Sequence, residues 1–305
     1  MTSPSLTFID GTTKPKSAWF QPVNDTVYAV LADVGGNAPT TKAQLKTNLG
    51  YASTTGDETL AGVKTFANSP LIPNATLPGQ AAAFGQMGGR LLGIRIFTTA
   101  DSGSTYTPTS GTNAIIAVLV GGGGAGGGTP LTGVGQLAVS SGGGSAPACA
   151  AYFTSGFSGK TLTIGVGGVA SVGGNGGVGG QTAIGTIIIT LGGRGGYSGP
   201  VLTPTDNYVQ TAADGQSRET IAIGGQILWS YAGVPGANGY AFTGGVGGAI
   251  AGVGASGTFG QGGTTTHVDA SGYGAGGSGI YRGASSAAAA GGNGAPGVII
   301  IYEYA

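Results

Sequence analysis

The sequence predicts a mainly β and irregular fold, in which short strands frame glycine-rich segments of polyglycine II type. Two observations carry that prediction. Glycine occupies 68 of 305 positions, against a usual share of about 7 %. The glycine tracts also repeat every three residues and lie between short β-rich runs.

Composition sets the outer limits. The chain has 11 basic and 11 acidic residues, zero net charge and a charged fraction of only 7 %; typical soluble domains carry about 25 %. The electrostatic footprint that nucleic acid or anionic lipid demands is missing, so neither is an expected partner. An apolar fraction of 40 %, with 12 Tyr, 9 Phe and 2 Trp, separates the chain from disordered sequences. One cysteine, Cys149, and one histidine, His267, cannot build an intrachain disulfide or a multi-Cys or multi-His metal site. Residues 1–10 lack the basic region and apolar core of a signal peptide, and the apolar runs at 114–120 and 187–189 fall far short of the roughly 20 residues a membrane helix needs. Synthesis in a cytoplasm without membrane insertion is therefore expected.

A composition boundary falls at residue 90. Residues 1–90 hold 10 glycines and 11 charged residues, and residues 91–305 hold the other 58 glycines and 11 charges. β-formers cluster at 6–9 and 26–31 between Gly11, Pro15, Pro22 and Gly35-Gly36, so residues 1–35 read as a small β attachment segment. Thr40 or Thr41 can cap a short helix through Leu45 and Leu49, with Gly50 as its stop. From Gly56 onward no helical or strand period is sustained, and a stretch this short cannot bury a core alone. Leu60, Val63, Phe66, Leu71, Ile72 and Leu77 would be buried against copies of the chain, which makes residues 36–90 a thin oligomeric stalk.

Beyond residue 90, β-rich runs at 90–97, 113–120, 160–166, 183–191 and 297–304 alternate with glycine tracts at 121–128, 173–180, 192–197 and 244–248, and more loosely at 272–279 and 291–297. Three is the period of the left-handed extended helix, in which bare Cα columns can face neighbouring helices while every third side chain points outward. Such a helix has no internal hydrogen bonds, so each N–H and C=O must pair with an adjacent segment. The Gly-Gly-X pattern is broken into short pieces, which argues against a collagen rod. A flexible linker would alternate glycine with serine and charge, not with apolar strands and aromatics.

Enzyme chemistry finds little support. At Gly159-Lys160-Thr161 the glycine a phosphate loop needs five residues earlier is Thr154, and no glycine run leads into a helix pattern. Cys149 sits among small apolar neighbours and reads as a packed thiol; His267 reads as a surface turn residue, with pairing to Asp269 or metal ligation as the sharper alternative. The acids after residue 91 are scattered, and Asp206 with Asp214 or Glu219 is the pairing that glycoside cleavage would need. No catalytic residue, metal or cofactor is expected.

Recognition fits better. Segments that break the glycine period, at 129–159, 198–243, 255–273 and 278–290, are expected to be loops carried on a rigid scaffold, where binding residues concentrate. Aromatic faces beside polar groups suit sugars and protein hot spots alike. The receptor-binding candidates are Tyr208, Trp229, Tyr231, Tyr240 and Tyr281, with Asp206, Asn207 and Arg218. Trp229 lies in the strand-like Ile227-Leu-Trp-Ser-Tyr231 and can equally be core; Tyr208, Tyr240 and Tyr281 are the clearer surface positions.

The runs Gly56-Asp-Glu-Thr-Leu-Ala-Gly-Val-Lys-Thr-Phe66 and Ala81-Ala-Ala-Phe-Gly-Gln-Met87 resemble short motifs recurring in the stalks of tailed-bacteriophage fibres. Ile115 to Gly128, Lys160-Thr-Leu-Thr-Ile-Gly-Val-Gly-Gly168 and Gly291-Gly-Asn-Gly-Ala-Pro-Gly-Val-Ile-Ile-Ile301 resemble the glycine-rich C-terminal domain of phage, prophage and tailocin tail fibres. The resemblance implies an elongated homotrimeric fibre in the virion tail. Residues 1–35 would attach to a tail or baseplate protein, 36–90 would form the trimeric stalk with its short helix, and 91–305 the receptor-binding tip. Its receptor would be a bacterial surface glycan such as lipopolysaccharide, or an outer-membrane protein. The alternatives are a purely structural fibre component and a polysaccharide-cleaving tail spike.

Overall fold

A computed structural model describes residues 88–203, 207–213, 221–222, 224–242 and 248–305, all within the compact unit Ile72–Ala305. The expected attachment segment at 1–35, and the stalk and helix apart from residues 88–90, lie outside the described residues. So do the tract at 244–247 and the side chains of Asp206, Asp214, Arg218 and Glu219.

The described chain is mainly β, with a single three-residue 3-10 helix at Thr99–Asp101. Its strands are β1 (Leu91–Phe97), β2 (Thr105–Tyr106), β3 (Ala114–Val120), β4 (Leu137–Val139), β5 (Ala148–Phe153), β6 (Lys160–Thr163), β7 (Thr182–Ile184), β8 (Ile188–Thr190), β9 (Val201–Leu202), β10 (Tyr208–Gln210), β11 (Ile221–Ala222), β12 (Gln226–Tyr231), β13 (Gly239–Phe242), β14 (Gly248–Ile250), β15 (Phe259–Gln261), β16 (Ser271–Tyr273), β17 (Tyr281–Arg282) and β18 (Val298–Tyr304). Every pair is antiparallel.

Two five-stranded sheets form a sandwich, one in the order β1-β18-β3-β5-β12 and the other β11-β8-β7-β6-β2. Alternation along the first sheet turns Phe97, Ile115, Ala117, Leu119, Cys149, Ala151, Phe153, Ile299 and Ile301 inward onto Tyr106, Leu162, Ile184 and Ile188 of the second. Cys149 is part of this core. The run 183–191, read as one β segment, is instead a tight hairpin of β7 and β8. Gly185 takes a φ of +48° at its turn, a backbone region that a side chain would strain.

Several of these strands run straight into glycine segments, and the sheets continue as a bundle. Segment 121–129 follows β3 without a break and lies at the bundle centre. Its N–H groups donate in strict rotation. Gly121, Gly124 and Gly127 bond the carbonyls of Pro147, Gly144 and Ser141; Gly122, Ala125 and Gly128 bond those of Gly180, Gly177 and Gly174; Gly123, Gly126 and Thr129 bond those of Ala295, Gly292 and Ala289. Successive residues thus address neighbours a third of a turn apart, and the falling partner numbers make all three neighbours antiparallel. The carbonyls of the same segment accept from a second set: Gly122 and Ala125 from Gly193 and Gly196, Gly123 from Gly168, and Gly124 from Gly277.

The surrounding segments also bond one another in a closed ring. Gly143 donates to Gly277, Gly292 to Ser278, Gly294 to Gly168, Gly177 to Val169, Gly176 to Gly196 and Gly144 to Arg194. One segment is therefore enclosed by six, with every N–H of 121–129 and the carbonyls of Gly122, Gly123, Gly124, Ala125, Gly127 and Thr129 paired in a region that excludes water. Packing this close leaves no space for side chains. A Cβ built on Gly124 would stand 2.0 Å from the Arg194 carbonyl oxygen, and one on Gly126 1.8 Å from that of Ser278.

This bundle corrects the loop expectation. Residues 140–147, inside the expected loop 129–159, are a bundle segment whose donors rotate among Ile280 and Gly277, Tyr197 and Arg194, and Ala237 and Val234; β5 then continues into the sandwich. The expected loop 198–243 likewise contains β12 and the segment at 233–238 that receives those last two bonds. The stretches 255–273 and 278–290 hold β15, β16 and β17.

The first sheet is apolar on its other face too. Register aligns Ile94, Tyr302, Ile116, Tyr152 and the polar Gln226 in one row, and Ile96, Ile300, Val118, Ala150 and Trp229 in the next. Where this face meets the bundle it is covered, because Val120, Ala148 and Val298 pack with Ala146 beneath Trp229, Tyr273 and Ile300. Further along, Ile94 and Ile96 are 53 % and 60 % exposed.

Candidate functional site

At the end of the bundle away from the sandwich, two small sheets cap the glycine segments: β17-β4-β9 and β10-β13-β14. β4 leads into segment 140–147, and segment 233–238 leads into β13, so both sheets are anchored directly to the bundle. At about 3.1 Å per residue of extended helix, the nine residues 121–129 hold the cap about 28 Å from the end of β3.

The cap has a small core of its own. Leu137, Val139, Leu202 and Ala241 are buried, and Tyr208 and Tyr281 pack against them. The structure therefore brings two of the sequence candidates onto one cluster, each half-buried. The Tyr208 hydroxyl donates to Gln210 Oε1 at 2.8 Å, and the Tyr281 N–H donates to Thr266 Oγ1 at 3.1 Å.

Tyr240 alternates to the opposite, outward face of the same three-stranded sheet. Its ring lies nearly parallel to that of Phe242, with 6.2 Å between centroids and 11° between planes. The rings are 38 % and 48 % exposed, and Val209 and Ile250 flank Tyr240 in register on the neighbouring strands. Opposite Phe242 stands Gly248, where even a Cβ would meet nothing within 4 Å. The result is a flat, open aromatic platform without a charged group in its rows. Asn207, one residue before β10, is exposed next to it.

Trp229 and Tyr231 are not part of this cap. They occupy β12 on the outer face of the first sheet, with ring centroids 5.3 Å apart. Both alternatives for Trp229 hold in part, since it packs on Val120, Ala146, Ala148 and Val298 yet keeps one side open. Asp206 and Arg218 lie outside the described residues.

Other groups sort as follows. His267 is exposed in a turn with φ of +54°, its Nδ1 2.7 Å from the Ala290 carbonyl oxygen; Asp269 instead accepts from the Asn293 N–H at 2.6 Å. Among the described residues no three His, Cys, Asp or Glu side chains stand together as metal ligands. The strongest polar cluster is in the sandwich. Fully buried Glu303 accepts from Tyr106 Oη at 2.7 Å and Thr109 Oγ1 at 2.5 Å, with Arg95 Nη1 3.6 Å away. Burial pushes the Glu303 carboxyl up, but the bonds from Thr109 and Tyr106 and the Arg95 charge outweigh it and hold it below the ordinary glutamate value. Burial, reinforced by the bond to Glu303, pushes the Tyr106 hydroxyl far above its ordinary range. This network ties residues 106–109 to the last strand.

Sequence reasoning missed two exposed features. Leu131 and Val134, the latter 93 % exposed, project from a turn that Thr132 Oγ1 pins to the Gly283 carbonyl at 2.6 Å. Val166, Val169 and Val172 form an outward stripe on the bundle flank, three residues apart, and the period-three pattern itself was the signal for it. No protein-family model matches the chain, and no curated protein matches it as a relative.

Proposed function

We propose that the chain is a phage, prophage or tailocin tail fibre whose glycine-rich tip adheres to the bacterial surface. In this reading residues 1–35 attach to a tail or baseplate protein, residues 36–90 are a homotrimeric stalk and residues 91–305 are the tip, built on polyglycine II helices. The reading is supported above all by one observation: an exposed aromatic platform, Tyr240 with Phe242, carried on a rigid bundle at the end remote from β1. The period-three rotation of the bundle hydrogen bonds supports the polyglycine II assignment.

The mechanism is adhesion, not turnover. A ring face packs on the C–H face of a sugar while nearby hydroxyls and amides take its polar groups. Each site is weak, and repetition over three chains and several fibres multiplies affinity without new contacts. Because the platform rows carry no charge, binding changes little between about 0.1 M and about 1 M salt, where the screening length falls from about 10 Å to about 3 Å.

The test is binding of the labelled intact chain to a panel of Gram-negative strains, with purified lipopolysaccharide as competitor. Strain-selective binding that lipopolysaccharide competes, and that Tyr240→Ala weakens about 30-fold, is expected. Absence of binding to every strain, or binding indifferent to Tyr240→Ala and Phe242→Ala together, overturns the reading.

A further inference from the structure

The first sheet ends on an open edge. β1 is its outermost strand, bonded to β18 on one side, and among the described residues no strand lies along the other. Every second N–H and C=O of an antiparallel edge strand points away from its partner, and natural sheets cover or blunt such an edge. Past the bulge between Leu91 and Gly93, the register with β18 runs unbroken to Phe97. This stretch has no proline, its one charge, Arg95, lies over the Phe97 and Tyr106 rings, and Ile94 and Ile96 are exposed. An edge so straight and apolar is built to be paired.

We propose that residues 80–86 of the same chain pair with this edge as a further antiparallel strand, so that the stalk ends in a β-hairpin with β1. Three features name this segment. First, the chain turns immediately before β1: Gly88 and Gly89 form a turn in which Gly89 has a φ of +75° and Gly88 has no positive φ. Both favoured two-residue hairpin turns need a positive φ at their first position, whereas the common three-residue loop ends on one. The loop is therefore 87–89, and Gln86 stands opposite Arg90. Second, Pro70, Pro73 and Pro78 precede the segment and no proline falls between Gly79 and Phe97, so every residue of 80–86 keeps its N–H for pairing. Third, no charged residue lies between Lys64 and Arg90, so the segment brings no charge to an apolar edge. The compact unit starts at Ile72, ahead of the segment, and so contains both partners. The pairing adds one strand to the five of the sheet and absorbs most of the Ala81-Ala-Ala-Phe-Gly-Gln-Met87 motif. The last residues of the stalk are thereby fixed to the tip of their own chain, and nothing in this depends on adhesion or on the number of chains.

The experiment uses the intact chain, with Cys149 left in place because it is buried. Ile94→Cys is combined in turn with Ala81→Cys, Ala82→Cys and Ala83→Cys, three positions being needed because the bulge in β1 shifts the register by one residue. After oxidation, bonds within one chain and between chains are separated by non-reducing electrophoresis and peptide mass. Facing residues of an antiparallel pair lie within disulfide reach, so one variant should close a bond within its own chain at least about tenfold faster than the other two. Adding Gly89→Ala, whose Cβ meets nothing within 4 Å and so strains only the turn, should slow that closure about fivefold, and Gly89→Asn should slow it much less. Hydrogen exchange on the parent chain is the second measure. With the edge paired, the β1 amides that face away from β18 exchange at least about tenfold more slowly than those of an open strand. Closure within one chain at no position, equal closure at all three, disulfides that join two chains, or fast exchange of those amides overturns the proposal. Should a double variant fail to fold, the exchange measurement decides alone.

Discussion

The sandwich and the bundle are made from the same strands, yet they cohere by opposite means. In the sandwich, Leu119, Phe153, Ile299 and their neighbours are buried side chains, and the sheets stay about 10 Å apart to hold them. Two residues beyond Leu119 the chain enters a segment with almost no side chains, and backbones approach until a carbonyl oxygen fills the place of a Cβ. Apolar transfer stabilises the first region, and it tolerates substitutions of similar volume. Paired backbone dipoles hold the second, where the tolerance is set by a single methyl group.

The largest expected effect breaks that comparison on the bundle side. Gly124→Ala drives a Cβ to 2.0 Å from the Arg194 carbonyl, inside a segment bonded on all sides. The neighbouring segments must separate, and a loss of about 4 kcal/mol or more is expected from denaturant unfolding. A mid-bundle glycine that accepts alanine without loss would show that the segments slide apart easily.

On the sandwich side, Leu119→Ala leaves a cavity in a side-chain core and costs about 3 kcal/mol. That loss should fall if Met replaces Leu119, whereas no residue but glycine should rescue position 124. Next in size is the polar tie between the two sheets. Glu303→Gln removes the charge that Thr109 and Tyr106 bond and costs about 2 kcal/mol at neutral pH. The folded-state carboxyl lies below the ordinary 4.5, so its stabilisation is complete above that value and is lost as pH falls through the folded value. Tyr106, shifted upward, acts at the other limit: its native neutral form loses ground once pH climbs past the ordinary 10.0. Thermal melts of Glu303→Gln should therefore lose the acid-side slope that the parent chain shows.

The smallest effect belongs to the cap. Gly248→Ala touches open space and should change stability by no more than about 0.5 kcal/mol, and Tyr240→Ala, which loses its stacking on Phe242, by about 1 kcal/mol. A calorimetric loss well beyond that would reassign the platform from recognition to packing.

Much of this design is legible in the sequence, and the rest is hidden for physical reasons. The apolar runs that became β3 and β18, and the period of three, are local patterns. Which segments bond is not local: Gly121 reaches Pro147 while Gly123 reaches Ala295. Residues 140–147 escaped notice because serines interrupt the glycines. Those serines serve the bundle themselves, Ser140 Oγ donating to the Gly127 carbonyl and Ser145 Oγ accepting from the Val234 N–H. Of the site, Tyr208, Tyr240 and Tyr281 read alike as surface positions, but only Tyr240 stands on the exposed face, while Tyr208 and Tyr281 pack on the cap core, because strand register and not local sequence decides the face. The separation of Trp229 and Tyr231 from the cap was not legible, because β12 pairs with β5, about 80 residues earlier, through a register shift.

The rotation of bonding partners along 121–129 makes the bundle behave like a reading frame in space. Adding or removing three residues lengthens or shortens a segment by one full turn and returns every donor to its own neighbour. Adding one residue sends every later donor to the wrong neighbour, and a mistake at one position propagates to the end of the segment. Growth of such a molecule is thus quantised in triplets within the bundle, while the connections at its remote end, such as the turn carrying Leu131 and Val134, answer to no frame and are free to vary in length.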